Sequence, residues 1–406
     1  MPKRIVVTGI GVLSPIGSTK GEFWNNLCEG KVGTKQDVQA FNTEKFDVHI
    51  GGEVKDFDPN PFFEHLNPNE FGRTTQLAVA AAKMALQDAE IDISELSEEA
   101  AVCIGTTMGN NSVIESHHNL LEQENKPADP KFISHYPLNM ISAAVAEELE
   151  CEGTCMVIPT ACAAGNYAIG LGKDLLEDEK AKIAIVGGAD AMSRVIYTTF
   201  HRLGALSEDA SKPFDKNRNG INVSEGAGML ILEEYEHAMK RGARIYAELK
   251  GYGLACDAHH PTAPHPEGEG AVHAIQEALR DARLSLDDIS YINAHGTGTR
   301  ANDHTESIAI KTVFGDKAET IPVSSIKSML GHTMGAASAI EAVCCTLAIY
   351  ESVIPPTMNY EEPDPDCVQN VVPNKKLLAT VDYALSNSFA FGGNISNIIL
   401  GRCTHA

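Results

Sequence analysis

Four short stretches of this 406-residue chain carry groups able to do covalent chemistry. Cys162 lies in PTACAAG, directly ahead of small residues that predict a helix start. The unpaired N–H groups and positive end of such a helix favour thiolate over thiol, lowering a cysteine pKa from about 8.5. Cys162 is therefore a candidate nucleophile. A buried, inert thiol is its alternative reading, and that reading suits Cys103, Cys344 and Cys345. His295 in NAHGTGT ends an apolar run at a glycine turn; His332 in SSIKSMLGHTMGAAS stands ahead of an alanine-rich helix, with Lys327 in the same turn. One histidine is more often structural, but two beside glycine at strand ends point to a shared site. The fourth stretch, SNSFAFGGNIS (386–396), is either a plain β-turn or the place where the Phe391 amide joins that of Cys162 in an oxyanion hole.

Elements far apart in sequence must bring these turns together. Residues 4–13 (RIVVTGIGVL) predict a β-branched strand running into a glycine turn, and 246–254 (YAELKGYGL) repeat it more weakly. After each come an amphipathic helix, 76–90 and 271–282, and a short apolar strand, 101–105 and 289–294. A strand, small-residue turn and alanine-rich helix follow in both, and glycine-bearing strands at 183–189 and 386–400 close the pattern. The fold class is α/β, in two pseudo-repeated βαβαβαββ halves: 1–245 with the nucleophile, and 246–406 with the histidines and the glycine loop. Superposing the halves brings the Cys162 turn against the Lys327–His332 turn, with His295 reaching in from a neighbouring strand end. Two excursions break the pattern. Residues 33–72 are polar, with Phe41, Phe46, Phe57, Phe62 and Phe63 irregularly spaced, and suit a cap; 115–140 pair a helix with the Pro-interrupted ENKPADPKF.

Hydrophobic residues at 43% and 34 glycines fit a large packed core. Against 55 Asp+Glu stand 32 Lys+Arg, a net charge of -23, which excludes general affinity for nucleic acid or anionic membrane. The N-terminal residues run straight into a β-rich stretch without a signal peptide's apolar core, so a cytoplasmic protein with reduced thiols is expected. TGIGVLSPIG (8–17) imitates a dinucleotide fingerprint, but Ser14 replaces the third glycine and Pro15 follows. Ser324 and Lys327 have SxxK spacing without the SDN and KTG partners. Asp257, His259, His260 and His265 lack helical spacing, and a solvated loop is favoured over a metal site.

PTACAAG, NAHGTGT, KSMLGH and SFAFGG, in that order, resemble the type II β-ketoacyl-[acyl-carrier-protein] synthases, condensing enzymes of the thiolase-like fold. SKPFDKNRNG (211–220), SEGAGMLILEEYEHAMKRGA (224–243) and DAHHPTAPHPEGEG (257–270) extend the resemblance over essentially the whole chain. It implies an αβαβα layered sandwich and a decarboxylative Claisen condensation. An acyl group passes to Cys162, its oxyanion held by the amides of Cys162 and Phe391. Malonyl-carrier protein enters; His295 and His332 donate to its thioester oxygen as carbon dioxide leaves, and the carbanion attacks the acyl thioester. By the same resemblance Lys327 keeps the neighbouring His332 uncharged, with Glu341 balancing it. Thr297 and Thr299 bond the pantetheine arm, Phe391 forms the gate with Phe389 and Gly392, Met108 ends the acyl pocket, and Phe200 and Thr262 contact substrate. No resident cofactor is implied, since phosphopantetheine arrives on the acyl carrier protein. The expected assembly is a homodimer or a heterodimer with a chain-length-factor homologue. Two imidazoles, rather than His and Asn, match the elongating synthases; Cys403 lacks the glycine setting of a thiolase's second cysteine.

Three departures bear on pathway. Ala390 replaces a hinge glycine and Ile395 an asparagine, which restricts the gate; FISHYP (132–137) makes a pocket wall more polar through Ser134 and His135. In the segment 64–73, which matches where the family's acidic carrier usually docks on basic residues, only Arg73 is basic, so the resemblance implies docking through other residues such as Arg202, Lys126 and Lys131, or a specialised carrier. Fatty-acid elongation leads, with a type II polyketide or polyene pathway as the alternative, and a non-catalytic carrier-binding scaffold third.

Overall fold

The structure, a computed structural model, describes residues 3–96, 99–124 and 135–404. The first half supplies strands β1 (Ile5–Leu13), β2 (Ala100–Gly105), β3 (Cys155–Ile158), β4 (Ile183–Asp190) and β5 (Gly226–Glu234). The second supplies β6 (Ala247–Cys256), β7 (Tyr291–Asn293), β8 (Val323–Ser324), β9 (Tyr383–Phe389) and β10 (Asn394–Gly401). All ten join in the order β8-β7-β9-β10-β6-β1-β5-β4-β2-β3. Read outward from the middle, each half uses its strands in the same sequence: first, fifth, fourth, second, third. The seam is a short antiparallel pairing in which Ile5 faces Leu249 and Val7 faces Ala247.

Helices divide into three layers because the three largest apolar clusters need covering. Helices α1 (Arg73–Ala89) and α2 (Asn139–Glu148) cover the outer face of the first half. Helix α3 (Ala164–Glu177) packs between the halves, with α4 (Glu269–Ala282) and α5 (Arg300–Phe314) outside the second. The last, α6 (Ala337–Glu351), lies beside α3 in the middle, completing an αβαβα sandwich. Its segment Met334–Glu351 is long and apolar enough to cross a membrane, yet is 89% buried; a helix covered on all sides by sheet and helix is apolar all round. Small residues permit this closeness: a Cβ on Gly165 of α3 would stand 2.6 Å from the Ala339 nitrogen of α6.

The glycines of TGIGVL have the same explanation. A Cβ on Gly9 would meet the Ala85 carbonyl oxygen at 2.2 Å, and one on Gly11 the Ala81 oxygen at 1.9 Å, so β1 carries glycine where α1 lies directly on it. Backbone cannot yield as a flexible side chain does. Gly11→Val is therefore expected to cost about 3 kcal/mol or to prevent folding, read as a lowered urea midpoint.

The irregular phenylalanines of the cap serve two different surfaces. Phe41 and Phe46 meet Tyr197 edge-on at 5.4 and 5.1 Å, while Phe57, Phe62 and Phe63 pack on the outer cluster of the first half. The second excursion begins as the helix Asn111–Glu124; the remainder of ENKPADPKF, with Lys126, Lys131 and Ser134, lies outside the described residues.

Candidate active site

Strand β3 runs through Pro159 and Thr160 into a tight turn, Ala161–Ala163, and then α3. Ala161 takes φ 51°, a left-handed conformation costly for a residue with a Cβ. This sharp reversal leaves Cys162 at a cavity wall, 6% exposed. Strands of the other half fix the turn: the Ser388 hydroxyl donates to the Cys162 carbonyl at 3.0 Å. Contrary to the helix-end expectation, burial pushes the thiol up to about 12; Lys327 draws it down, while Asp190 and Glu341 oppose. Desolvation outweighs the helix end here, so the resting group is a thiol.

His295 follows β7, and its backbone is held from below. Its N–H and that of Gly296 each donate to Glu306 at 2.8 Å, one per carboxylate oxygen. The Thr297 and Gly298 amides donate to Asp303 at 3.0 and 3.2 Å. Sequence reasoning missed both acids. Their signal is a pair of carboxylates three apart on the first turns of α5, immediately after HGTGT, both fully buried. Burial raises Glu306 to about 7.

His332 is held by a parallel bridge to Val223: its N–H donates to the Asn222 carbonyl at 2.8 Å and its carbonyl accepts from the Ser224 N–H at 2.9 Å. The two imidazoles stand 5.4 Å apart, nearly perpendicular at 83°. Lys327 acts on His332 by charge, as expected from the sequence, and pairs with buried Glu341, but its direct contact is with the other ring: its ammonium lies 3.3 Å from Nδ1 of His295. Nδ1 of His332 instead accepts from the Met334 N–H at 3.2 Å. With both Nδ1 atoms acting as acceptors, each ring carries its proton on Nε2. Burial first, and then the Lys327 charge, hold both imidazoles well below their usual 6.5, hence neutral.

A test follows from that charge. Lys327→Met combined with Glu341→Gln removes cation and counter-carboxylate together, stranding neither. The His295 pKa then rises, so the acid limb of a pH–rate profile moves up by about one unit. An unmoved limb would show that Lys327 has no electrostatic hold on the ring.

Cys162, His295 and His332 line one cavity of about 310 Å³ together with Phe200, Thr262, Thr297, Thr299, Phe389 and Phe391. The Phe200 and Phe391 rings lie 5.5 Å apart, and the Thr297 and Thr299 hydroxyls are bonded at 2.9 Å. Met108 stands off the cavity wall, packing against the cluster that includes Phe200 and Met334. Gly392 also stands off it, at φ 77°; its N–H donates to the Pro261 carbonyl, tying the glycine loop to the histidine-rich loop. In that loop the rings of His259 and His265 meet edge-on at 5.0 Å and Asp257 accepts from the His265 amide. Ala390 is extended, φ -137° and ψ 158°, so this conformation needs no glycine there. Arg73 is committed to buried Glu225 at 2.7 Å; of the docking cations named from the sequence, the one among the described residues, Arg202, is exposed beside the cavity-lining Leu203. His135 packs 4.9 Å from Phe71.

Residues 2–238 match the beta-ketoacyl synthase N-terminal domain and residues 246–361 the C-terminal domain. The chain is 44% identical over 401 residues to 3-oxoacyl-[acyl-carrier-protein] synthase 2 of Synechocystis sp., covering 97% of this chain and 96% of that one. It is 38% identical to the Staphylococcus aureus (strain COL) protein of the same name, covering 98% of each. Among solved structures, the ishigamide ketosynthase/chain length factor matches with TM-score 0.96 and 43% identity over 100% of both chains. A type II polyketide synthase ketosynthase, solved with its acyl-carrier protein and bound to the hexaketide, matches with TM-score 0.91 and 34% identity over 99% of this chain and 100% of that one. Likeness of this extent, matched to both domains in order, makes the chain a member of the β-ketoacyl synthase family, a ketosynthase acyltransferase.

Proposed function

We propose that this ketosynthase lengthens an acyl chain by two carbons, taking malonyl-carrier protein as the extender and holding the growing chain as a thioester on Cys162. The observation that carries the reading is the convergence of two Nε2–H donors and a thiol on one cavity. In the first half-reaction Cys162 sulfur attacks the acyl thioester, with the amides of Cys162 and Phe391 as oxyanion donors; the thiol proton ends on the departing pantetheine sulfur. In the second, the malonyl C–C bond breaks, carbon dioxide leaves, and its electron pair becomes an enolate whose oxygen accepts from His295 and His332. The enolate carbon then attacks the Cys162 thioester and expels the thiolate. Neutral donors suit this step, since they leave the developing negative charge on the substrate and gain strength as it forms.

Phosphopantetheine comes with the carrier, so no resident cofactor is needed. Thr297 and Thr299 suit its amides, Thr262 and Phe200 the remainder of the acyl and pantetheine path, and Phe391 with Phe389 and Gly392 the gate. Fatty-acid elongation in the cytoplasm is the leading setting. A type II polyketide or polyene pathway is favoured by one observation: with Arg73 engaged by Glu225, the segment matching the usual docking site offers no free cation. A second chain, a copy or a chain-length-factor homologue, fits the outer edge of β3, where Met156 is 43% exposed.

Reconstitution with malonyl- and acyl-loaded carrier is expected to release carbon dioxide and give a 3-oxoacyl carrier two carbons longer. A folded enzyme that forms neither product overturns the proposal. An active homodimer on saturated chains decides for fatty-acid elongation, and activity only on co-expression with a chain-length-factor homologue decides for the other pathway.

A further inference from the structure

Asp190, the last residue of β4, is a carboxylate 1% exposed with no cation paired to it among the described residues. Four donors converge on it. The Thr106 hydroxyl donates to Oδ1 at 2.7 Å and the Met108 amide at 3.3 Å; the Thr107 and Gly335 amides donate to Oδ2 at 2.7 and 2.6 Å. The first three donors belong to the turn after β2, which carries Met108. The fourth belongs to the Met334–Ala336 turn of the other half, whose Met334 amide donates to Nδ1 of His332.

Both turns are built around this one group. A Cβ on Gly335 would stand 2.5 Å from the Thr107 nitrogen and 2.6 Å from Asp190 Oδ2, so only glycine lets them close on the carboxylate. Met334 takes φ 52°, a conformation that a non-glycine residue holds only when its neighbours impose it. Met108 and Met334 pack together in the cluster that contains Phe200 and carries Phe391. Burial of an unpaired anion is costly, and backbone amides are what repays it here.

We propose that Asp190 is a positioning residue that holds the Met334–Ala336 turn, and through it the Nε2–H form of His332, in register with the Met108 turn behind the acyl cavity. The proposal rests on the ketosynthase reading above. An amide at this place can accept through one oxygen only and turns its NH2 toward donors, so Asp190→Asn releases at least one turn while keeping the side-chain volume.

The test uses the full-length protein with ring-15N histidine, His332 being assigned against His332→Ala, and follows malonyl-carrier decarboxylation and product length. In the unmutated protein His332 is expected to show a bare Nδ1 and a protonated Nε2. Asp190→Asn is expected to give mixed tautomers at His332 and decarboxylation about 10- to 100-fold slower. Thr106→Val keeps the carboxylate, its Gly335 contact and the Thr107 and Met108 amides but removes the hydroxyl that donates to Oδ1 and accepts from the Gly109 amide, loosening the Met108 side; it is expected to shift product length with His332 and decarboxylation unchanged. A folded Asp190→Asn protein with an unmixed tautomer and full decarboxylation overturns the proposal. Should that variant not fold, unchanged product length in Thr106→Val overturns it. Failure of the unmutated enzyme to decarboxylate at all would instead sink the ketosynthase reading, and the tautomer measurement would still report on Asp190.

Discussion

Cys162→Ala is expected to abolish condensation, by on the order of 10⁴-fold or more, while malonyl decarboxylation continues. The asymmetry follows from how the site is divided. Bond formation needs a covalent acyl acceptor, and the cavity offers one sulfur for it; Cys103, Cys344 and Cys345 are sealed in the core at 0% exposure. Enolate stabilisation needs the two Nε2–H donors, whose fixing contacts come from Lys327 and the Met334 amide and involve no atom of Cys162. Peptide mass analysis after incubation with acyl-carrier protein should show the acyl mass on the 162 peptide of the unmutated enzyme and none in the variant. Carbon dioxide release from malonyl-carrier protein is measured in parallel. An acyl adduct elsewhere, or condensation surviving the substitution, would remove Cys162 from the mechanism.

The resting protonation state sharpens that experiment. Because burial holds the thiol up near 12, the cysteine is not a standing thiolate that any electrophile would trap. Slow alkylation by small reagents at neutral pH is compatible with rapid acyl transfer, since exchange of one thioester for another ends with the proton on the departing thiol.

Much of this was legible in the sequence for definite reasons. Periodicity switches near 100 and 290, and glycine turns after strands, mark where each half turns back on itself. The small residues of PTACAAG and HTMGAAS are the signature of α3 and α6 pressed together, and those helices start where Cys162 and His332 sit. The site was readable because the same turn chemistry that closes the fold also presents the reactive groups.

What escaped is what only packing determines. Lys327 adjoins His332 in sequence, and its charge reaches that ring, but its direct contact is with His295, because the short helix Lys327–Leu330 turns its side chain toward the strand end of the neighbouring segment. Glu306 and Asp303, which carry no motif and are not singled out in the sequence, face inward to hold the backbone of 295–298. The balance of forces at Cys162 was also misjudged, since a helix end is visible in sequence whereas desolvation is a property of the assembled core.

Replacing either imidazole should be nearly as damaging to decarboxylation as losing both. His295→Ala or His332→Ala removes one of two donors to a single developing oxyanion, a loss of about 10² to 10³-fold. Donors that act as a pair are not additive, so the double variant should fall little further. Acylation of Cys162 should suffer less, because its proposed oxyanion donors are backbone amides. The pH dependence carries the sign of the pKa shifts. Both rings titrate well below 6.5 in the folded protein, so decarboxylation should stay flat through neutrality rather than falling as pH rises. For stability, the unfolded chain binds protons on these histidines below about 6.5 that the folded chain refuses. Their penalty is therefore absent above that pH and grows as the solution is acidified toward the folded-state values. Chemical denaturation from pH 8 to 5 should show stability falling on the acid side, and less steeply in His295→Ala. Decarboxylation that survives loss of both rings, or a rate that follows an imidazole titrating near 6.5, would show that the enolate is stabilised by something other than this pair of neutral donors.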